Sequence, residues 1–328
     1  MASGVWAEEQ EKKAAPAEAT LPWVTSLSID PGSGKILTSV ATSLPYRAGS
    51  LHHSTLPSID KLEPWAELAT AGWAVLLVDQ GKKLVASDYA GNVYTADLQD
   101  PKSLKKLEPK QKWIRALADA GDGKVWVGTE EGKLVPLQVQ EGTFGTAIEA
   151  HKAGIFSIQA TPDRKSWITT AGDGSVKLWN ASDMALVREF QFGNQAVWAA
   201  ALDTSGKYLL TADAARRVNM FAVESGAILL TLGMLSDWGT SLVVLDAHTI
   251  AVGSLDGHVY FLDLVGKRVA AKVQAAKSGI WTLHPNNGTK QLIAGTRSHG
   301  LQRLTSDQWE SAVNQSRSEA AAEVPPGP

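Results

Sequence analysis

The chain contains no cysteine, which excludes disulfides, thiol nucleophiles and cysteine-ligated metals. It has no apolar run near the roughly 18–20 residues that a membrane-spanning helix needs, so no direct membrane insertion is expected. Basic character is equally thin. Lysine and arginine never run longer than a pair, and 31 of them stand against 34 acidic residues for a net charge of −3. A chain so balanced lacks the electrostatic footprint of a nucleic-acid binder.

Catalytic strings are missing too. There is no Gly-x-Ser-x-Gly elbow, no Gly-x-x-x-x-Gly-Lys-Ser/Thr cradle and no His-Glu-x-x-His. Gly121-Asp122-Gly123 and Gly172-Asp173-Gly174 read as hairpin turns, because no helix follows to complete a phosphate site. Glu130 and Glu131 sit in a turn, where solvated carboxylates have no reason to titrate apart. His52 and His53 are adjacent on a strand and point to opposite faces, so they do not chelate one ion. His248, His258, His284 and His299 lie at turns or strand ends without chelating spacing. No catalytic residue, metal site or cofactor is expected, and the chain reads as a non-enzyme.

Repetition is abundant. A Lys or Thr landmark recurs at Lys83, Lys124, Lys165, Lys207, Thr249 and Lys290, in steps of 41 or 42 residues. A second landmark, a hairpin position, recurs at Gly91, Gly132, Gly174, Arg216, Gly257 and Gly300. Glycine reaches positive φ without steric cost, so a different or longer turn is expected at Arg216. Gly34-Lys35 opens a first unit 48 residues before Lys83, with an insertion of about seven residues placed between Ser43 and Pro57. A period of 40–45 residues built from strands predicts an all-β, seven-bladed β-propeller with four-stranded antiparallel blades. The units begin near Trp23, Trp73, Trp113, Gly154, Ala196, Trp238 and Gly279.

The fourth unit carries a family resemblance. His151, Ile155, Ile158, the Pro162-Asp163 turn, Thr169, Asp173 and the strand ending Leu178-Trp179-Asn180 follow one another at the spacing of a WD40 repeat. The unit is similar to that family over about 30 residues. The resemblance implies that His151, Thr169, Asp173 and Trp179 form a buried hydrogen-bond tetrad, and that the chain is a scaffold for a protein or peptide partner. The motif is eroded elsewhere: Asp256 and, more loosely, Glu131 keep the acid of Asp173, but Ala90 and Ala215 replace it. Those two blades are expected to rely on apolar packing. Eroded motifs leave room for an alternative, a propeller enzyme or a small-ligand or metal binder using the central channel.

An aromatic residue marks the start of the first strand in every unit: Trp23, Trp73, Trp113, Phe156, Trp198, Trp238 and Trp281. First strands line the channel of a propeller, so these residues either pack between blades or form a docking mouth for a partner. Aligned on Ile155, Trp23, Trp113 and Trp238 come one position earlier and Phe156, Trp198 and Trp281 one later, all six on one face. Those six are the candidate partner-binding residues; Trp73 aligns with Ile155 and faces the other way. The propeller is expected to span residues 21–314 as a monomer within a complex, the last blade closed by Gln308–Val313 in preference to Thr20-Leu21. Residues 1–20 and 315–328 read as disordered. Val5-Trp6-Ala7 resembles a signal-peptidase site, which favours a periplasmic or secreted location over a cytoplasmic one.

Overall fold

The computed structural model describes residues 22–41, 48–108, 113–286 and 290–322. Seven antiparallel sheets follow one another along the chain as the blades of a β-propeller. Their innermost strands are Trp23–Ile29, Gly72–Val78, Ile114–Gly121, Ile155–Ala160, Val197–Leu202, Gly239–Val244 and Ile280–Asn286. Each touches its neighbour around the ring, and the first touches the last. Among the described residues no helix is long and apolar enough to cross a membrane.

Stacked sheets bury the side chains of both faces. Between blades 4 and 5, Ile168, Val176, Leu178 and Phe190 meet Val197, Ala200, Leu209 and Phe221. The ring closes in the same way, with Val24, Leu27, Ile36 and Val40 of blade 1 against Ile293 and Leu301 of blade 7. Arg303 also donates to the Pro57 carbonyl across that seam.

Blade 7 has three strands among the described residues, ending with Leu301–Thr305. The expected closing segment Gln308–Val313 is not a strand. It forms the end of a short 3-10 turn and the start of helix α1 (Glu310–Ala322). Trp309 and Val313 are four residues apart, a helical spacing. They bury themselves together: Trp309 stacks on Phe261 at 4.7 Å and Val313 joins the same cluster. The helix is then clasped by Ser316 Oγ donating to Asp263 (3.0 Å) and by an Arg268–Glu319 ion pair (2.7 Å). The C-terminal segment expected to be disordered is therefore ordered as far as Ala322. Its Ala/Ser/Glu composition hides a helix held by these few anchors. The N-terminal residues 1–20, the Thr20-Leu21 closure and the signal-peptidase resemblance lie outside the described residues.

Two further expectations are corrected. The extra length of unit 1 does not all precede Pro57, because the outer strand Ser58–Leu68 has 11 residues where blade 4 uses 6. Arg216 does not lengthen its turn. It adopts φ 64° and donates its N–H to Asp213 O (3.1 Å), as Gly91 does to Asp88 O (3.0 Å).

Candidate functional site

The inner strand of every blade carries a register shift near its start, leaving one residue unpaired. A bulge re-aims its extra side chain. In chain order the bulged residues are Thr25, Trp73, Arg115, Phe156, Trp198, Thr240 and Trp281, and all seven line one cavity in the central channel. The register also corrects the alignment of Trp73. It takes the same bulged position as Phe156, Trp198 and Trp281, while Gly72 takes the place of Ile155.

The two threonines are small and satisfied: Thr25 donates to Gly72 O (2.8 Å) and Thr240 to Ile280 O (2.6 Å). The large residues close ranks over them. Trp73 and Trp281 meet at 6.2 Å, Trp281 and Trp198 at 6.3 Å, and Trp198 stacks on Phe156 at 4.3 Å. Arg115 completes the ring, its guanidinium 5.0 Å from the Trp73 centroid and 5.2 Å from that of Phe156. A cation between two aromatic faces is attracted by both quadrupoles. Glu130 holds Arg115 through Nε alone, at 2.5 Å.

Trp23, Trp113 and Trp238 stand two positions before the bulged residues of their blades, toward the end of the channel where the strands begin. Trp113 stacks on Tyr89 at 4.9 Å, Tyr89 meets Trp73 at 5.9 Å, and Trp238 stacks on Trp198 at 5.9 Å. Aromatic contacts thus run without a break from Trp113 to Trp238 across one mouth of the disc. Of the six candidates, Trp23 is buried, only 8% exposed; the other five are half-buried. Trp113 holds φ 42°, a conformation costly for a bulky side chain. Tyr89 and Arg115 belong to this surface and were invisible in the repeat, because one lies in a turn and the other breaks the aromatic pattern.

A second constellation sits in blade 4. Trp179 Nε1 donates to Thr169 Oγ1 (2.8 Å), and Thr169 Oγ1 lies 2.7 Å from His151 Nε2. On the other side of the imidazole, Nδ1 lies 2.8 Å from Ser175 Oγ, which donates to Asp173 Oδ1 (2.7 Å). Asp173 accepts only, so the protons run one way: indole to Thr169, Thr169 to Nε2, Nδ1–H to Ser175, Ser175 to the carboxylate. Burial pushes the His151 pKa down to about 4, against the pull of Asp173. The 3.4 Å approach of His151 to Asp173 is therefore part of a neutral hydrogen-bond chain and not an ion pair. Burial also works against the Asp173 charge, but the N–H groups of Lys152 (2.8 Å) and Ser175 (3.0 Å) hold its pKa below the usual carboxylate value. Ser175 is a link that the four-residue motif does not contain.

The blades with Ala90 and Ala215 are not held by apolar packing alone. In blade 2, Asp88 accepts from Tyr94 Oη (2.7 Å) and Asn92 Nδ2 (2.8 Å). In blade 5, Asp213 pairs with Arg217 at 3.0 Å. Each acid stands two residues before the alanine, where an alignment on Asp173 overlooks it. His52 contacts Ser50 Oγ (2.8 Å) and His53 faces Glu63 (3.8 Å), on opposite sides of their strand. Among the described residues no cluster of His, Asp and Glu could hold a metal ion.

With this geometry, the comparisons with known proteins agree. Residues 142–180, the turn and strands around the tetrad, match the WD40 family description "WD domain, G-beta repeat". Similar proteins include human WD repeat-containing protein 3 (35% identical over 69 residues, 21% of this chain and 7% of that protein). Mouse WD repeat-containing protein 90 is 27% identical over 124 residues, 38% of this chain and 6% of its own. The Drosophila melanogaster Protein LST8 homolog is 28% identical over 96 residues, 29% of each chain. The matches thus cover under a third of each relative's length. Fold and motif define a repeat-built protein of the β-propeller class. The chain is a seven-bladed β-propeller whose residues 142–180 form a WD40 repeat.

Proposed function

We propose that this protein is a non-enzymatic platform that docks a protein or peptide partner on the disc face carrying the aromatic mouth. The observation that carries the reading is the unbroken, half-buried aromatic surface from Trp113 through Tyr89, Trp73, Trp281 and Trp198 to Trp238. Tryptophan and tyrosine offer large rigid contact area at low entropic cost and concentrate in binding hot spots. A rim that served only to fill space would be buried outright, as Trp23 is.

Trp113→Ala and Trp238→Ala probe the rim while leaving every side chain of the ring beneath it in place. Affinity capture should retain a partner on the wild-type protein and on a Leu229→Ser control at the outer edge, and lose it on both rim variants, with unfolding midpoints preserved. Equal capture by all four proteins would exclude this face. A loss of about 3–5 kcal/mol in the rim variants, the usual cost of truncating a buried aromatic, would show the rim to be core.

A further inference from the structure

The cavity behind the ring holds a concentration of polar groups that no atom of the described residues satisfies. Trp198 Nε1, Trp281 Nε1 and Ser241 Oγ are buried, make no hydrogen bond among the described residues, and all line this cavity of about 210 Å³. Buried donors are ordinarily paired, and leaving one unmade costs roughly 1–3 kcal/mol. Elsewhere at this level the protein does pair them, as Thr25 and Thr240 show. Arg115 faces the same space: Glu130 takes only its Nε, and its terminal nitrogens make no hydrogen bond among the described residues. Gln159 and Ser157 add polar lining. The cavity shares Gln159, Leu242 and Leu283 with a second one of about 320 Å³, lined by Ala160, Val244 and His284 farther along the same strands. The channel therefore continues away from the aromatic ring.

We infer that this chamber is a binding site for a small carboxylate, held by the Arg115 terminal nitrogens, the indole N–H groups of Trp198 and Trp281, and the Ser241 hydroxyl. The donor set selects an acceptor, because four of its members are donors and the one fixed charge is a guanidinium. The planar fork of arginine matches a carboxylate in two parallel hydrogen bonds. Glu130 already offsets part of that charge, which suits a monoanion and disfavours a phosphate dianion. The volume lies below the roughly 300–1,000 Å³ of pockets for drug-sized molecules, so the ligand is small. The site does not depend on docking at the rim, and its test involves no partner protein.

Indole N–H signals in ¹⁵N–¹H spectra report on the site directly. Trp198→Phe and Trp281→Phe assign the two resonances. Titration of the full chain with sodium acetate should shift both saturably, while sodium chloride at equal ionic strength and neutral acetamide should not. Arg115→Leu should weaken the acetate response at least tenfold, with ten other indole signals reporting that the fold is retained. Equal shifts with chloride, or an unchanged response in Arg115→Leu, would overturn the site and leave water as the occupant of the donors. If Arg115→Leu does not fold, Ser241→Ala gives the second arm: an unweakened acetate response there likewise overturns it.

Discussion

Blade 4 and blade 2 do the same job with different chemistry. Each must tie the loop that enters the blade to the turn between its second and third strands. In blade 4, Lys152 N–H reaches Asp173 directly (2.8 Å) and Lys177 Nζ holds the Ala150 carbonyl (2.7 Å). In blade 2, Ala69 N–H donates to Tyr94 Oη (3.2 Å), which donates to Asp88. Blade 6 repeats the tyrosine solution: Ser236 N–H donates to Tyr260 Oη (3.0 Å), which donates to Asp256 (2.6 Å). Lys177, Tyr94 and Tyr260 all stand three residues after the turn glycine. The position is constant and its chemistry is not. An eroded motif therefore does not mean an eroded network; what blades 2, 4 and 6 share is a carboxylate that ties loop to turn.

The largest expected effect tests that equivalence. Asp173→Ala leaves the N–H groups of Lys152 and Ser175 without acceptors, and Asp88→Ala strands Tyr94 and both Asn92 donors. Losing the acceptor of several donors, most of them partly buried, should cost about 1–3 kcal/mol in either blade. Urea unfolding of the two variants should give matching losses. Asp88→Ala within about 0.5 kcal/mol of wild type, the range of an ordinary surface change, would restore blade 4 to a special status.

The ring was legible in the sequence because period-41 landmarks and turn glycines act locally, one hairpin at a time. The same locality explains what was hidden. Asp88 and Asp213 sit two residues from the aligned acid, and their partners Tyr94 and Arg217 become neighbours only once strands pair. Trp73 is misaligned by counting along the chain because Gly72, which stands as far before Gly91 as Ile155 does before Gly174, takes the place of Ile155 only once the strands pair. The channel chamber needed the bulges of all seven blades at once, and Arg115 entered it against the aromatic pattern. Helix α1 depends on Phe261, some fifty residues earlier in the chain, to receive Trp309. The tetrad was visible because its four members lie within one repeat, although its Ser175 link was not.

The next difference between the blades is their response to acid. His151 is neutral in the folded state with its pKa lowered from 6.5 to about 4, whereas burial pushes the Tyr94 phenol up to about 12. Below pH 6.5 the unfolded chain protonates its imidazole and the folded one does not, so the unfolded state binds more protons and stability falls as pH falls. The loss attributable to His151 accumulates between pH 6.5 and about 4, and amounts to about 3 kcal/mol at the lower end. A His151→Gln variant removes that titration. Its stability should start lower at pH 7 and decline less steeply than wild type over this window. Parallel curves for the two proteins would place the acid sensitivity outside blade 4.

The smallest effect concerns the turn that blade 5 makes without glycine. Gly132, Gly174 and Gly257 have no room for a side chain, since a Cβ would lie 2.2, 2.2 and 2.3 Å from a carbonyl oxygen of the loop that leads to the next blade. Arg216 adopts the same turn at φ 64° and still accepts from Leu235 N–H (2.7 Å), so in blade 5 the loop makes space for a Cβ. Its guanidinium makes no ion pair among the described residues to offset the left-handed backbone. That conformation costs an L-residue roughly 1–2 kcal/mol, and the greater freedom of glycine in the unfolded chain returns part of it. Arg216→Gly should therefore stabilise the protein by about 0.5–1 kcal/mol, read as a higher urea midpoint at unchanged slope. A lower midpoint would mean that the Arg216 side chain supports blade 5 through packing, and that blade 5 has replaced the glycine turn with a different solution, as blade 2 has replaced the histidine.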